Sequence, residues 1–249
     1  MDLKLSGQAA IVTGGSLGIG SAVAIALARE GVDVAVNYRR HDKEAKQVVA
    51  QIESLGQRGL AVQADVSSHA DAQAMVQKVH ETFGRLDILV CNAGITWDGV
   101  IWKMTEEQWD QVITVNLKGY FNYNKAAALV FKDQKHGKIV NISSINGMRG
   151  KFAQSNYAAS KGGEIALSKT LARELGKFNV NVNVVAPGLV LTEMMEKLPA
   201  EFTSKAMDET VVGRFATPEE VADLVVFLCS ERSRHVTGEV IKIDGGQYI

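Results

Sequence analysis

The sequence predicts an α/β fold: a doubly wound parallel sheet of about seven strands with helices on both faces, in a single domain spanning 1–249. Three observations predict it. Short apolar runs of strand length alternate with longer segments of helical periodicity from Ala9 to Ile243. A glycine-rich turn joins the first strand to the first helix. No linker or low-complexity run divides the chain, which has three prolines in 249 residues.

Taken in order, the first strand lies near 9–13 and feeds a helix near 18–30. The second strand, near 33–38, precedes a helix near 42–55, and the third, near 59–64, a helix near 69–83. A fourth strand near 87–91 leads to a long helical segment near 105–132. The fifth, near 138–143, is followed by a helix near 155–177, and the sixth, near 180–185, by a Pro-Gly turn. A helix near 217–230 and a strand near 239–243 close the chain. Apolar strands joined by helical crossovers make a parallel sheet covered on both faces. Binding groups then collect at the carboxyl ends of the strands, where Asp65, Asn92, Ser144 and Pro187 each fall.

The formal charge is −1, so no global field recruits nucleic acid. Nothing reads as a signal peptide or as an apolar stretch of transmembrane length, and a cytoplasmic protein without a membrane partner is expected. Cys91 and Cys229 lie far apart in apolar segments and read as reduced core residues. The five histidines form no ligand cluster, and no metal is expected.

The turn after the first strand runs Gly14-Gly15-Ser16-Leu17-Gly18-Ile19-Gly20. Glycines let the backbone turn tightly and let a phosphate approach the peptide N–H groups, and the following helix aims its positive end at the same place. Strand, glycines and helix in this order mark a Rossmann-type dinucleotide site, although the spacing is T-G-x3-G-x-G. An NAD enzyme places an acid at the end of the second strand to hold the ribose diol. Here that end reads Asn37-Tyr38-Arg39-Arg40, with no acid. A guanidinium suits a phosphate, so Tyr38 and Arg39 favour NADP(H), with NAD(H) as the alternative.

Ser144, Tyr157 and Lys161 stand in the spacing S-x12-Y-x3-K. Tyr157 and Lys161, four apart, share one helix face. A phenol with a pKa of about 10 is a poor acid or base at neutral pH, and an adjacent ammonium favours its ionised form. With the Ser144 hydroxyl at a strand end nearby, the set reads as a proton-transfer site for a carbonyl or an alcohol.

Together with Asn92-Ala93-Gly94, Asn116 in VITVNLKGYF, Pro187-Gly188-x3-Thr192 and Asp244-Gly245-Gly246, these motifs resemble the short-chain dehydrogenase/reductase family over nearly the whole chain. The branch most resembled is that of the 3-oxoacyl-[acyl-carrier-protein] and acetoacetyl-CoA reductases. The resemblance implies hydride transfer from NADPH to a carbonyl carbon. In it Ser144 holds the oxygen, Tyr157 gives the proton, Lys161 holds the nicotinamide ribose and tunes Tyr157, and Asn116 holds a water linking Lys161 to solvent. It further implies that Asp65 and Val66 face the adenine and that Asn92, Ala93 and Gly94 support the cofactor ribose. Val190 and Thr192 meet the carboxamide beside Pro187 and Gly188. Family members are commonly homotetramers.

The expected substrate wall comprises Ile95, Trp97, Asn146, Met148, Phe152, Gln154, Leu189 and Met194, with a lid at 190–212 rich in adaptable apolar residues. Gln154 and the Asn-Gly-x-x-Gly run at 146–150 resemble the thioester-reducing branch. Enzymes that dock acyl-carrier protein carry basic residues beside the site mouth. Lys135 resembles one, whereas Phe178 stands where the other belongs, so a CoA ester or a free ketone stays open. The alternative function is an alcohol, sugar or steroid dehydrogenase. More remote are a sugar-nucleotide epimerase, which needs more sequence after Pro187, and a non-enzymatic nucleotide sensor, which has no use for an intact Ser-Tyr-Lys set.

Overall fold

The computed structural model describes residues 2–192 and 207–249. Seven strands, all parallel, form one sheet in the order β3-β2-β1-β4-β5-β6-β7. They are β1 (Ala9–Val12), β2 (Asp33–Tyr38), β3 (Gly59–Gln63), β4 (Ile88–Cys91), β5 (Gly137–Ile142), β6 (Val180–Pro187) and β7 (Val240–Ile243). In the register, Ile11 lies beside both Ala35 and Leu89. The central strands are buried on both faces; β1 and β4 accordingly read as unbroken apolar runs, while β5 carries Lys138 and Asn141 within its buried length.

Successive side chains point to opposite faces, so the strands feed two cores. Val12, Val34, Val36 and Val90 pack with Leu27 of α1 (Gly18–Arg29), Ile52 of α2 (Asp42–Ser54) and Val225 of the last helix. Ile11, Ala35 and Leu89 pack on the other face, with Val79 of α3 (His69–Phe83) and with Tyr123 and Phe131 of the helix that precedes β5.

The long helix expected over 105–132 is interrupted. It comprises α4 (Glu106–Val112), a π-helical turn at Ile113–Lys118 and α5 (Gly119–Gln134). The wide turn has a tertiary cause. Asn116, within it, hydrogen-bonds through its side chain to both the N–H and the C=O of Ile95, at 2.9 and 3.0 Å. A short α6 (Asn146–Arg149), also unanticipated, follows β5. Next come α7 (Ser155–Leu175) and α8 (Pro218–Cys229), close to their expected bounds. Of the expected lid, residues 193–206, Met194 among them, lie outside the described residues. Cys91 and Cys229 are free and buried. Among the described residues no helix is long and apolar enough to cross a membrane, and no group of three or more His, Cys, Asp or Glu is placed to hold a metal.

Candidate active site

The chain leaves β1 toward β2 and leaves β4 toward β5, so the sheet order reverses between β1 and β4 and opens a crevice at their carboxyl ends. Thr13 and Asn92 bind the two sides of it together. Thr13 Oγ1 accepts from the N–H groups of Asn92 and Ala93 at 2.9 and 3.1 Å. Asn92 Nδ2 donates to the carbonyls of Thr13 and Gly14, both at 3.1 Å. Gly14 has φ 60°, and a Cβ there would come within 2.9 Å of Ala93 Cα. A Cβ on Gly20 would collide with the Gly14 carbonyl oxygen. Leu17, at the N-cap of α1, offers no side-chain cap. A side-chain-free cradle therefore faces the uncapped N-terminus of α1, and these residues fit a pyrophosphate. Ser16 is buried in the turn, and Ile19 packs against the core.

At the end of β2, Asn37 Oδ1 accepts from Gly14 N at 3.2 Å while its Nδ2 donates to Ala64 O. The Tyr38 hydroxyl donates to Asp42 at 2.6 Å, which raises the phenol's pKa. Arg39 is exposed, with its guanidinium 3.5 Å from Asp65. Burial works against the ionised Asp65, but hydrogen bonds from Ser67 and the charge of Arg39 hold its pKa below the usual value. Val66 is buried beneath, its carbonyl accepting from Asn122 at 2.9 Å.

Ser144, Tyr157, Lys161 and Asn116 come together beyond the carboxyl end of β5, where α7 crosses it. Lys161 is buried on α7, and its Nζ lies 5.8 Å from the centre of the Tyr157 ring. The ammonium donates to Ile142 O at 2.8 Å and to the Glu164 carboxyl at 2.8 and 3.2 Å. It also lies 4.8 Å above the ring of Tyr120. Asn116 is fully buried and donates to Ser160 Oγ at 3.1 Å, which ties the π-helical turn to α7. Tyr157 keeps part of its surface accessible. Its pKa differs from the sequence expectation: burial raises it above 10, and the opposing pull of Lys161 and the hydrogen bond with Ser144 do not offset this. Glu164 adds to the rise.

The expected substrate residues differ in their settings. Asn146 and Gln154 are joined to Ser144: Ser144 Oγ accepts from Asn146 N at 3.1 Å, Asn146 Nδ2 donates to Gln154 at 3.1 Å, and Gln154 donates to Asp98 at 3.0 Å. Trp97, Met148 and Phe152 are exposed. Ile95 is held by Asn116, and the Leu189 N–H donates to Gln247. Gly188 closes against Asp244 and Gln247, where a Cβ would meet Gln247 Oε1 at 2.7 Å. Pro187 accepts from Ile145 N at 3.1 Å, and Val190 pairs with Ala216. Gly94 lies against Asn116 and Lys161, where a Cβ would meet Asn116 Oδ1 at 3.4 Å, and Thr192 is half-buried. Lys135 and Phe178 precede β5 and β6, so within one chain they lie at the end of the sheet away from Ser144.

Sequence reasoning missed Asp98, Tyr120 and Glu164, and it read Thr13 and Asn37 within motifs without giving either a role. Glu164 carried a signal, being an acid three residues beyond Lys161 on the same helix. The others are brought in by long-range contacts.

The family model described as "Enoyl-(Acyl carrier protein) reductase" matches residues 14–247. The 3-oxoacyl-[acyl-carrier-protein] reductase FabG of Thermotoga maritima is 42% identical over 248 residues, 99% of this chain and 100% of its own length. That of Staphylococcus aureus strain Mu50 is 40% identical over 242 residues, 97% of this chain and 98% of its own. That of Staphylococcus epidermidis ATCC 12228 is 39% identical over the same span, 97% of this chain and 99% of its own. With likeness of this extent running through the crevice and the Ser-Tyr-Lys site alike, the chain belongs to the short-chain dehydrogenase/reductase family and is an NAD(P)-dependent oxidoreductase of the ketone–alcohol interconversion.

Proposed function

We propose that this chain reduces the 3-oxo group of an acyl thioester with NADPH. The observation that carries the reading is the meeting of Ser144, Tyr157 and Lys161 beside a polar run, Asn146–Gln154–Asp98, that begins on Ser144 itself. Two hydroxyl groups suit an oxygen that gains charge as its carbon is reduced. The amides one hydrogen bond away suit a second carbonyl such as that of a thioester. The relatives' names point the same way.

A bound nicotinamide supplies the hydride. The chain's own residues do the rest. Ser144 donates a hydrogen bond to the carbonyl oxygen, and Tyr157 releases its phenolic proton to it as the alcohol forms. Lys161 stabilises the phenolate left behind. Asn116, locked to Ile95 and Ser160, fixes the backbone beside Lys161. Gly14, Ser16, Leu17, Gly18, Ile19 and Gly20 would hold the pyrophosphate, and Asp65, Val66, Asn92, Ala93 and Gly94 the adenosine side and ribose. Pro187, Gly188, Val190 and Thr192 would border the carboxamide. NADPH is favoured over NADH because Arg39 occupies the end of β2, where no acid stands. In this reading residues 1–249 are one cofactor-binding and catalytic unit.

The test follows oxidation of the reduced nicotinamide. Acetoacetyl-CoA, acetoacetyl-carrier protein, crotonoyl-CoA, and simple ketones and sugars are each offered with NADPH or NADH. Turnover of the two acetoacetyl thioesters with NADPH is expected. Turnover confined to crotonoyl-CoA, to sugars or to secondary alcohols would refute the thioester ketone, and a preference for NADH would refute the role of Arg39.

A further inference from the structure

Glu164 lies within α7 with no exposed surface. A carboxyl so far from water is costly unless it is paired. The titratable groups facing it come from three elements: Lys161 and Tyr157 on α7, Tyr120 on α5 and Cys91 on β4. Lys161 is the cation of this set, and both Glu164 oxygens accept from its ammonium, at 2.8 and 3.2 Å. The remaining neighbours of that ammonium are uncharged: Ile142 O at 2.8 Å and the Tyr120 hydroxyl at 3.4 Å. Once Glu164 is ionised, the charge set beside Tyr157 is therefore that of a pair rather than that of a lone lysine.

We propose that Glu164 is a positioning residue that neutralises the Lys161 ammonium and so keeps Tyr157 in its proton-bearing phenol form into the alkaline range. The inference rests on the assignment of Tyr157 as the proton donor. Glu164 transfers no proton to substrate, since the proton delivered is that of the phenol. Its own acidity fits this part. Burial pushes the carboxyl up to about 8 against the attraction of Lys161. Above that pH it is a carboxylate, in the range where the phenol would begin to ionise, and its negative charge opposes that ionisation.

The test is an ultraviolet titration of tyrosinate in the full-length, cofactor-free protein, with the Tyr157→Phe curve subtracted to isolate residue 157. In the native protein no residue-157 tyrosinate is expected below pH about 10. In Glu164→Gln its onset should fall by about one pH unit or more, because the lysine charge is then unopposed. The alkaline limb of the kcat profile for carbonyl reduction should move down by the same amount. Superimposable titrations of the native protein and a folded Glu164→Gln variant would overturn the proposal. So would residue-157 tyrosinate at neutral pH in the native protein, a measurement that decides the matter even if the variant fails to fold. A Tyr157→Phe variant with undiminished turnover would instead sink the donor assignment, and the titration separates the two failures because it needs no substrate.

Discussion

Tyr157 and Glu164 occupy one helix and answer to opposite physical demands. In the proposed reaction the phenol surrenders a proton, while burial raises its pKa. Replacing Tyr157 with Phe should leave nucleotide affinity unchanged, measured by fluorescence titration of bound NADPH, while kcat falls about 10²- to 10⁴-fold, the usual contribution of a positioned acid. Glu164 makes a separate prediction for stability. Its folded pKa, about 8, lies above the ordinary 4.5. Between those values the folded chain holds a proton that the unfolded chain has released, so this residue's contribution falls as pH rises from about 4.5 to about 8. Urea midpoints across that window should decline more steeply for the native protein than for Glu164→Gln. Parallel declines would mean that the carboxyl titrates normally. Sequence disclosed Tyr157 and Lys161 because four-residue spacing is a local property. The spacing of Glu164 from Lys161 was equally local, but its burial was not, because an acid on a helix is ordinarily solvated and this one is enclosed by contacts distant in the chain.

At the level of elements, the last helix is secured at its start by a capping device. Thr217, Pro218 and Glu220 open α8 with a reciprocal capping box, and Pro sits in the first turn. Thr217→Ala should cost about 1 kcal/mol and lower the melting temperature by about 2–4 °C in calorimetry. An unchanged transition would show that the box adds nothing to what the packing of α8 already secures. Strands β1 and β4 were legible in the sequence, since burial on both faces leaves an unbroken apolar run. The π-helical turn was not, because six residues are too few for a wider turn to show in the apolar period. Its cause, the clasp between Asn116 and Ile95, joins residues 21 apart in the chain. The four-residue α6 escaped for a similar reason, being shorter than any window in which periodicity can be read.

On the scale of the whole molecule, the parallel sheet determines where chemistry collects. Residues from β1, β4, β5 and β6 meet at one edge because every strand runs the same way. The other large surfaces bear on assembly. Trp109, Phe121 and Leu129 on α4 and α5 are exposed, as is Ile249 at 94%. Apolar side chains on successive helices favour association, and a homotetramer is the expected state. Sedimentation equilibrium should return four times the mass of 26.9 kDa, and a lone monomer would refute it.

The turn at Ile113–Lys118 has a consequence for how this protein can change. Deleting one residue there would let an ordinary α-helix re-form across the gap, at the cost of spinning everything before it by about 100°. Trp109 would leave its present bearing, and the Gln108 carbonyl would release the side chain of Asn156, which it now holds at 3.1 Å beside Tyr157. A shortened chain could thus keep every strand, every glycine and all of Ser144, Tyr157 and Lys161 and still lose its activity.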